Sequence, residues 1–453
     1  MKYYIIAGEA SGDLHGSNLI KHLHLQDGHA DIRCWGGDLM KAQGSTLVKH
    51  FRELAFMGFV EVVMNLRTIF KNLAFCKTDI NQYHPDVVIF IDYPGFNIRM
   101  AKWAKEQGYK TIYYISPQVW AWKENRVKTI KKYVDKMLVI LPFEKDFYGK
   151  WNYQVDYVGH PLVEVIEEFR KTTDHGQRTT DDGPRTMEEQ STVIPTQDGS
   201  SAPPTFVIPT QDGSATPPTF VIPTQDGSAT PPTFVIPAQE GSATPSTFVI
   251  PTQEGSPPLS TPKKIIALLP GSRKQEINVK LPIMLEVSKS FPAYEFVVAK
   301  APGMDDEFYH SFLAPYNNVT ALGGKTYDLL NKATAALVTS GTATLEAALF
   351  GVPEVVCYKG NKISFAIAKR IVRIRYISLV NLIMDKPIVT ELIQDDLTAE
   401  NCIKELKDLL ENPVRKQQLA TDYAALKSLL SKGGHASSNA AKIIVDFLTK
   451  PTY

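Results

Sequence analysis

Cysteine is scarce in this chain of 453 residues, and its four copies lie far apart, at Cys34, Cys76, Cys357 and Cys402. They form no Cys-x-x-Cys pair and have no metal-ligand spacing, so we expect neither a disulfide framework nor a metal site. Four isolated thiols fit a reducing compartment, where each would serve as a small core side chain.

Net charge and long apolar runs are also lacking. The chain has 49 Lys and Arg residues against 48 Asp and Glu residues, a formal net charge of +1. This balance argues against a general nucleic-acid-binding protein and leaves room only for local basic patches. No window approaches the ~18 apolar residues of a membrane-spanning helix, and the apolar run at residues 3–7 is too short for a signal peptide. We therefore expect a cytoplasmic protein that can touch a membrane surface.

The chain does contain many strand–turn–helix patterns. Its length suits two or three domains, and short apolar runs alternate with helical patterns, which predicts doubly wound α/β domains. The predicted strands cover residues 3–7, 87–92, 111–115, 137–141, 155–158, 265–269, 294–299, 318–322, 335–338 and 354–358. Two helices divided by Gly433-Gly434-His435 are predicted to end the chain.

Residues 171–262 differ in character from the rest. They are rich in Pro, Gly, Thr and Ser, and Thr-Phe-Val-Ile-Pro recurs at equal spacing around Phe206, Phe220, Phe234 and Phe248. A strand-like tetrapeptide between prolines cannot build a core, and the repeat is unlike the usual solenoid units. We predict a disordered or loosely extended spacer inserted between two ordered domains.

Acidic residues follow two of the predicted strands. Glu9 and Asp13 lie in a Gly-containing turn after residues 3–7, where they would repel a pyrophosphate. The turn therefore favours a sugar hydroxyl or a catalytic group, with acidic helix caps as an equally weighted alternative. Asp92 ends the strand at 87–92, at the sheet edge where ligands bind in open α/β folds. There it can act as a general base, and a capping role is the alternative.

Two later turns have the features of anion sites. Arg273 follows the strand at 265–269 and a Gly-Ser pair, and its guanidinium can neutralise a diphosphate. The small-residue turn at 339–342 opens a helix, whose first N–H groups attract anions. Glu346 lies about one turn into that helix and can accept hydrogen bonds from a ribose diol. An ordinary strand–turn–helix with Ser and Thr caps explains the second turn equally well.

Three further features are ambiguous. Residues 54–75 are very apolar, with cations toward the end, which is typical of an interfacial membrane helix or of a core helix. Trp120 and Trp122 precede a cationic helix and suit a sugar ring or lipid headgroups, although a solvated helix face explains most of the lysines of that helix. His160 could reach a phosphate from its loop, and a structural role is at least as good an interpretation.

Nine short motifs occur in the order known from one enzyme family, and although each alone is weak, they are specific together. They are AGEASGD (7–13), MGFVEV (57–62), IDYPGFN (91–97), SPQVWAW (116–122), LPFE (141–144), GHP (159–161), LLPGSR (268–273), SGTATLE (340–346) and SLVNL (378–382). Through these motifs the chain resembles the lipid-A-disaccharide synthases, over nearly its whole length outside about 171–262.

The resemblance implies a GT-B fold, with two Rossmann-like doubly wound domains facing a cleft and the repeat insert between them. We expect an acceptor-binding domain at 1–170, the insert at 171–262, a UDP-sugar-binding domain at 263–430 and a terminal helix at 431–453 that crosses back. The implied reaction joins UDP-2,3-diacylglucosamine to 2,3-diacylglucosamine 1-phosphate through a β-1,6 bond, with inversion and loss of UDP. It belongs to lipid A biosynthesis and needs no metal and no cofactor.

The resemblance also implies roles for individual residues. Asp92 would be the base, with Glu9 or Asp13 assisting, since many members have a second Asp where this chain has Gly95. The donor-binding residues would be Gly271, Ser272, Arg273, Ser340, Gly341, Thr342, Ala343, Thr344, Glu346 and Asn381. Those meeting the acceptor or the membrane would be Ser11, Gly12, Met57, Phe59, Val62, Val63, Leu66, Phe70, Trp120 and Trp122. The expected location is the cytoplasmic face of the inner membrane, and a homodimer is left open.

Three alternatives remain at this stage. One is another GT-B sugar-nucleotide enzyme, such as a lipid GlcNAc transferase or an epimerase, although the interfacial stretch argues against a soluble epimerase. The second is a non-catalytic sugar-nucleotide-binding membrane protein, which would have no need of both Asp92 and Arg273. The third is a repeat-driven adhesion protein, which the expected cytoplasmic location disfavours.

Overall fold

The computed structural model describes residues 1–54, 66–122, 124–181, 263–302, 304–361, 365 and 375–450. Residues 1–179 and 261–453 belong to one compact unit, and the second unit, at 180–260, lies almost wholly outside the described residues. The prediction for the MGFVEV motif and most of the prediction for the repeat insert therefore fall on residues that the structure does not describe.

The first half of the compact unit is a parallel sheet with helices on both faces. Its described strands are β1 (Lys2–Ala7), β2 (Asp31–Gly36), β3 (Thr46–His50), β4 (Val87–Ile91), β5 (Lys110–Tyr114), β6 (Lys136–Val139) and β7 (Asp156–Tyr157). Its described helices are α1 (Ala10–Gln26), α2 (Asp38–Ala42), α3 (Leu66–Tyr83), α4 (Pro94–Glu106), α5 (Val119–Trp122), α6 (Arg126–Tyr133), α7 (Glu144–Gly149) and α8 (Pro161–Asp181). The strands are ordered β3-β2-β1-β4-β5-β6-β7.

The second half repeats this architecture. Its described strands are β8 (Lys264–Leu269), β9 (Tyr294–Lys300), β10 (Val319–Gly323), β11 (Ala333–Thr339), β12 (Glu354–Tyr358) and β13 (Thr390–Ile393). Its described helices are α9 (Lys274–Val287), α10 (Asp306–Leu313), α11 (Thr326–Lys332), α12 (Thr342–Phe350), α13 (Leu379–Met384), α14 (Ala399–Glu411), α15 (Pro413–Ser431) and α16 (Ala436–Thr449). The strands are ordered β10-β9-β8-β11-β12-β13, again in parallel.

The central strands are apolar throughout because both of their faces are covered. In β1, Tyr3 and Ile5 pack into one core cluster with residues of α1, while Tyr4 and Ile6 pack into another with Trp35. Successive side chains of a strand point to opposite faces, so burial on both sides removes the polar alternation of a half-exposed sheet. This explains why β1 and β4 are recognisable as continuous apolar runs.

Each sheet has one point where the strand order reverses. In the first sheet the chain builds outward from β1 through β2 to β3 and then returns to add β4 on the other side of β1. The second sheet reverses in the same way between β8 and β11. Loops after the strands that flank such a point leave a crevice, where ligands bind in doubly wound sheets. The fold therefore marks the turns after β1, β4, β8 and β11 as site-forming.

The terminal helix α16 packs against the first sheet's layer of helices. Ala440 and Ile444 share a core cluster with Leu19 of α1. The side-chain nitrogen of Asn439 donates to the carbonyl oxygen of Val158 at 3.1 Å, and the backbone N–H of Ser437 donates to the Glu164 carboxylate at 3.1 Å. The last helix thus connects the end of the chain to its first half.

Most sequence predictions of secondary structure agree with the structure. The ten predicted strands are confirmed within a few residues, and Gly433-Gly434-His435 does separate the last two helices. The strands β2, β3 and β13 were missed because polar residues interrupt them. The proposed domain limits remain predictions, and α8 continues through the limit at 170 to Asp181.

Across the described ranges we found no helix with the length and hydropathy needed to cross a bilayer.

Gly433 provides a test of how α16 is attached. A Cβ atom on Gly433 would lie 2.3 Å from the Cα of Gly159, whereas one on Gly149 would meet nothing within 4 Å. We expect Gly433→Ala to lower the free energy of unfolding by about 2 kcal/mol, since two backbones must separate, and to speed hydrogen exchange in α16. The matched control Gly149→Ala should leave both unchanged. Equal behaviour of the two variants in urea unfolding would contradict this close packing.

Candidate functional site

The turn after β4 presents Asp92 in an unusual backbone conformation. Asp92 and Tyr93 both have positive φ angles, of 43° and 49°, which costs roughly 1–3 kcal/mol for each residue that is not glycine. The buried side chain of Asn97 holds the turn by donating hydrogen bonds to the carbonyl oxygens of Ile6 and Asp92. The hydroxyl of Tyr113 donates to the same Asp92 oxygen. The surrounding structure therefore maintains a strained turn that presents the Asp92 carboxyl group at the sheet edge.

The environment of Asp92 favours its neutral form more than water does. Burial and the neighbouring Glu9 carboxylate raise the pKa of Asp92 to about 7, against the opposing effect of a hydrogen bond from the backbone of Tyr93. Close packing between the two turns explains this proximity, because a Cβ atom on Gly8 would lie 2.4 Å from the Tyr93 ring. A carboxyl group with a pKa near 7 can exchange a proton readily at neutral pH.

Glu9 connects the two sheet edges through an ion pair. Glu9 precedes α1, Arg273 precedes α9, and the Glu9 carboxylate lies 3.9 Å from the Arg273 guanidinium. Burial raises the pKa of Glu9, and the positive charge of Arg273 acts in the opposite direction. The predicted base region of the first half and the predicted diphosphate region of the second half are therefore adjacent.

The turn after β8 contains the predicted residues Gly271, Ser272 and Arg273. Gly271 has a φ angle of 117°, in the region that favours glycine. Ser272 is exposed, and the Arg273 side chain is about half exposed, at 51%. A second carboxylate, that of Glu276, lies 3.6 Å from the guanidinium. The turn thus offers a partly accessible cation at the crevice.

The turn after β11 contains the other predicted anion site. Gly341, with a φ angle of 150°, precedes α12, and the hydroxyl of Ser340 donates to the carbonyl oxygen of Ile377 at 2.8 Å. The residues predicted here are Ser340, Gly341, Thr342, Ala343 and Thr344. The hydroxyl of Thr344 donates back to the carbonyl of Gly341 at 2.8 Å. The first N–H groups of a helix have no acceptor within it, so the start of α12 suits a phosphate.

Glu346 lies in α12 beside aromatic side chains. The Tyr327 hydroxyl lies 3.5 Å from its carboxylate, and the Tyr327 ring also contacts Phe350 and Phe169. Burial raises the pKa of Glu346 to about 7, and the Tyr327 hydroxyl has the opposite effect. A half-buried carboxyl group next to ring faces is suited to a ribose diol.

Asp13 has an internal role in the structure. Its carboxylate accepts hydrogen bonds from the backbone N–H groups of Gly37, Leu39 and Met40, at 2.7 to 3.2 Å. These are donors at the start of α2, so Asp13 caps that helix from outside it. The predicted assistance to Asp92 stays untested, and the contacts favour a structural role for Asp13.

Asn381 is similarly engaged. Its side-chain oxygen accepts from the backbone N–H groups of Ile388 and Val389, and its nitrogen donates to the Val389 carbonyl and the Glu391 carboxylate, all within 3.0 Å. Glu391 also accepts from the backbone N–H and hydroxyl of Ser378. Glu391 therefore stabilises the loop before α13, and Asn381 stabilises the loop after it. Sequence reasoning missed Glu391 because β13 itself was missed.

The residues predicted to meet acceptor or membrane are only partly described. Met57, Phe59, Val62 and Val63 lie outside the described residues, as do the side chains of Leu66 and Trp122. Ser11 and Gly12 lie in the first turn of α1. On α3, Phe70 is 64% exposed and Phe75 is 48% exposed. An apolar surface is therefore present directly after the undescribed stretch.

Trp120 has a structural contact that the sequence did not reveal. Its ring N–H donates to the Glu144 carboxylate at 3.2 Å, and the backbone N–H of Leu141 donates to the same group at 3.0 Å. Burial raises the pKa of Glu144 to about 7, and these hydrogen bonds counteract it. The SPQVWAW and LPFE motifs are thus connected by a hydrogen bond between Trp120 and Glu144. In the sequence, the sign of this contact was the charged residue at the end of LPFE, which the apolar pattern of the preceding strand does not explain.

His160 is buried and uncharged at neutral pH. Burial, together with the nearby His15, lowers the pKa of His160 to about 3. Its ring nitrogen accepts a hydrogen bond from the backbone N–H of Leu162. These contacts favour the structural interpretation of the GHP motif over a phosphate contact.

Among the residues that the structure describes, no group of three or more His, Cys, Asp or Glu side chains could hold a metal ion.

Solved structures similar to this one share its architecture. UDP-GlcNAc 2-epimerase of Neisseria meningitidis bound to UDP-GlcNAc matches with a TM-score of 0.57 and 13% identity, covering 100% of both chains. The glycotransferase of kitacinnamycin matches with a TM-score of 0.55 and 12% identity, covering 99% of both chains. At such low identity these similarities concern the fold alone, and they confirm the predicted GT-B class.

Sequence relatives identify the family. The family model described as Lipid-A-disaccharide synthetase matches residues 3–194 and 254–445. Lipid-A-disaccharide synthase of Geobacter metallireducens is 32% identical over 451 residues, covering 98% of this chain and 97% of that relative. The Coxiella burnetii protein of the same name is 32% identical over 444 residues, covering 97% and 96%. The chain therefore belongs to the lipid-A-disaccharide synthase family of glycosyltransferases.

Proposed function

We propose that this enzyme of lipid A biosynthesis, a hexosyltransferase, uses Asp92 as the base for transfer of a diacylglucosamine unit. The donor is UDP-2,3-diacylglucosamine, and the acceptor is 2,3-diacylglucosamine 1-phosphate. The acceptor hydroxyl oxygen forms a bond to the anomeric carbon, the bond from that carbon to the diphosphate breaks, and UDP leaves with the electron pair. Asp92 receives the hydroxyl proton. One displacement inverts the anomeric centre, so no covalent intermediate is needed.

The observation that carries this proposal is the position of Asp92 at the carboxyl end of β4, beside the Glu9–Arg273 pair, where burial and Glu9 raise its pKa to about 7. A base with such a pKa is about half deprotonated at neutral pH and strong enough to take a proton in the transition state. The ion pair brings a cation from the second half of the chain close to that base. A base next to a cation suits a displacement in which a diphosphate departs.

The donor would occupy the crevice of the second sheet. Arg273 and the first N–H groups of α12 follow the neighbouring strands β8 and β11, and both would provide positive charge for the diphosphate. Glu346 would accept the ribose hydroxyls. These groups supply the charge that a metal ion provides in other transferases, so we expect transfer to proceed without a divalent cation.

Both proposed substrates carry acyl chains, and these chains would lie in the membrane that the apolar surface of α3 contacts. Phe70 and Phe75 are exposed on α3, as are the cations Arg67 and Lys71. Aromatic and cationic side chains on one helix are typical of binding at the surface of an anionic membrane. We propose that α3 contacts the cytoplasmic face of the inner membrane, where the lipid substrates are available.

The transfer itself can be tested in detergent micelles. The purified full chain would be mixed with UDP-2,3-diacylglucosamine and 2,3-diacylglucosamine 1-phosphate in the presence of EDTA, and both UDP and disaccharide would be measured. We expect both products in equal amounts. Release of UDP without disaccharide would exclude the proposed acceptor, and binding of UDP without any product would favour a non-catalytic sugar-nucleotide-binding protein.

Replacement of the base should separate chemistry from binding. Asp92→Asn keeps the shape of the side chain and removes its ability to take a proton, so we expect kcat to fall about 10³-fold. The affinity for UDP, measured by calorimetry, should stay within about twofold because the donor site lies on the other sheet. Asp86→Asn, at the amino end of the same strand β4, is the matched control and should keep wild-type kcat. Wild-type turnover by Asp92→Asn would rule out this base.

Removal of the neighbouring charge should change the pH dependence. Because the Glu9 carboxylate raises the pKa of Asp92, Glu9→Gln should lower that pKa. A base is active when deprotonated, so activity rises with pH through its pKa, and the acidic limb of kcat/KM should move to lower pH. The control Glu106→Gln removes an exposed carboxylate of α4 and should leave the limb in place. A limb that moves to higher pH in Glu9→Gln would contradict the proposed coupling.

A further inference from the structure

Three charged side chains of α9 and the turn before it form a row. The amino group of Lys280 lies 3.5 Å from one oxygen of Glu276, and the other oxygen of Glu276 lies 3.6 Å from the Arg273 guanidinium. Lys280 is only 2% exposed, Glu276 is 33% exposed and Arg273 is 51% exposed. The row therefore runs from the protein interior to the crevice, with alternating charge.

The inner end of this row is costly to bury. A buried ammonium group needs a partner to offset its lost hydration. Burial lowers the pKa of Lys280, and the Glu276 carboxylate opposes that change. The two residues are four apart on α9, so they share one face of the helix. Glu276 is thus the charge partner that Lys280 requires, and Lys280 restricts where the Glu276 carboxylate can lie.

The turn after β8 is shaped around the same carboxylate. A Cβ atom on Gly271 would lie 2.6 Å from an oxygen of Glu276. The space that a side chain at Gly271 would fill is therefore taken by the Glu276 carboxylate. Glu276 is held by Lys280 on one side and by the backbone of the turn on another, and its remaining oxygen is directed to Arg273.

We propose that Glu276 is a positioning residue that fixes the Arg273 guanidinium for the donor diphosphate, with Lys280 as its inner anchor. This inference rests on the donor site proposed above. A long, half-exposed side chain loses rotamer freedom when it binds a ligand, and holding it in place beforehand reduces that cost. Glu9 provides a second carboxylate on the opposite side of Arg273, at 3.9 Å. Glu276 belongs to the same half of the chain as Arg273, so its hold on the guanidinium does not depend on a contact between the two halves.

A purely electrostatic role and a positioning role for Glu276 predict opposite effects of one substitution on UDP affinity. If Glu276 contributed only its negative charge, Glu276→Gln would remove repulsion and tighten UDP binding. If it positions Arg273, the same change would weaken UDP binding. The sign of the change in affinity therefore distinguishes the two explanations.

The test is calorimetric titration of the full chain with UDP. We expect Glu276→Gln to weaken UDP binding about fivefold and Arg273→Ala to weaken it about tenfold. In the double variant Glu276→Gln/Arg273→Ala, the first change should add nothing, because a residue that acts through Arg273 loses its effect without it. Fully additive losses, or tighter binding by Glu276→Gln, would overturn the inference.

A second set of variants separates positioning from stability. Lys280→Met should lower both the melting temperature and the UDP affinity, since Glu276 is left without its anchor. In Glu276→Gln/Lys280→Met no unpaired charge is buried, so the melting temperature should recover while UDP binding stays weak.

The matched control Glu286→Gln removes a carboxylate from the far end of α9, where it pairs with Lys289 on the surface, and should bind UDP like the wild type. Recovery of UDP affinity in the double variant would overturn the inference. Failure of the wild-type chain to bind UDP would instead refute the donor site.

Discussion

The structure depends on one constraint, which is that each parallel sheet must be covered on both faces. Parallel strands need crossover connections, and the helices of those connections bury the sheet. All strands in a sheet then end at the same edge, and the reversal of strand order beside β1 and beside β8 opens a crevice at that edge. Asp92 and Arg273 owe their positions to this rule, since each follows a strand that flanks a reversal.

Electrostatics joins the two crevices into one site. Charges alternate from Lys280 through Glu276 and Arg273 to Glu9, with the paired groups 3.5 to 3.9 Å apart, and Asp92 follows Glu9. Each carboxylate is placed so that a cation offsets part of its burial, and Asp92, at the end of the row, lies next to an anion instead. That arrangement raises the pKa of one carboxyl group selectively, which suits a base that must accept a proton near pH 7.

Several residues in the family motifs stabilise loops through hydrogen bonds within the protein. Asn97 holds the strained turn of Asp92, Asn381 holds the loop after α13 together with its partner Glu391 in β13, and Glu144 connects two motifs through Trp120. A crevice made from loops needs such buried hydrogen bonds, because loop backbones lack the regular partners of a sheet. The short sequence motifs therefore contain both the proposed reacting groups and the residues that fix the loops carrying them.

The sequence by itself determined the fold class, the central strands and the identity of the charged residues at the strand ends. This was possible because strands buried on both faces are local apolar runs, and because Asp92 and Arg273 directly follow such runs. Tertiary structure alone decided which partners those residues have. Asp13 caps α2, Asn381 is saturated by hydrogen bonds, and Lys280 is buried. The strands β2, β3 and β13 were also missed from the sequence. Burial and pairing depend on residues distant in the chain, and a local pattern carries no information about those distances.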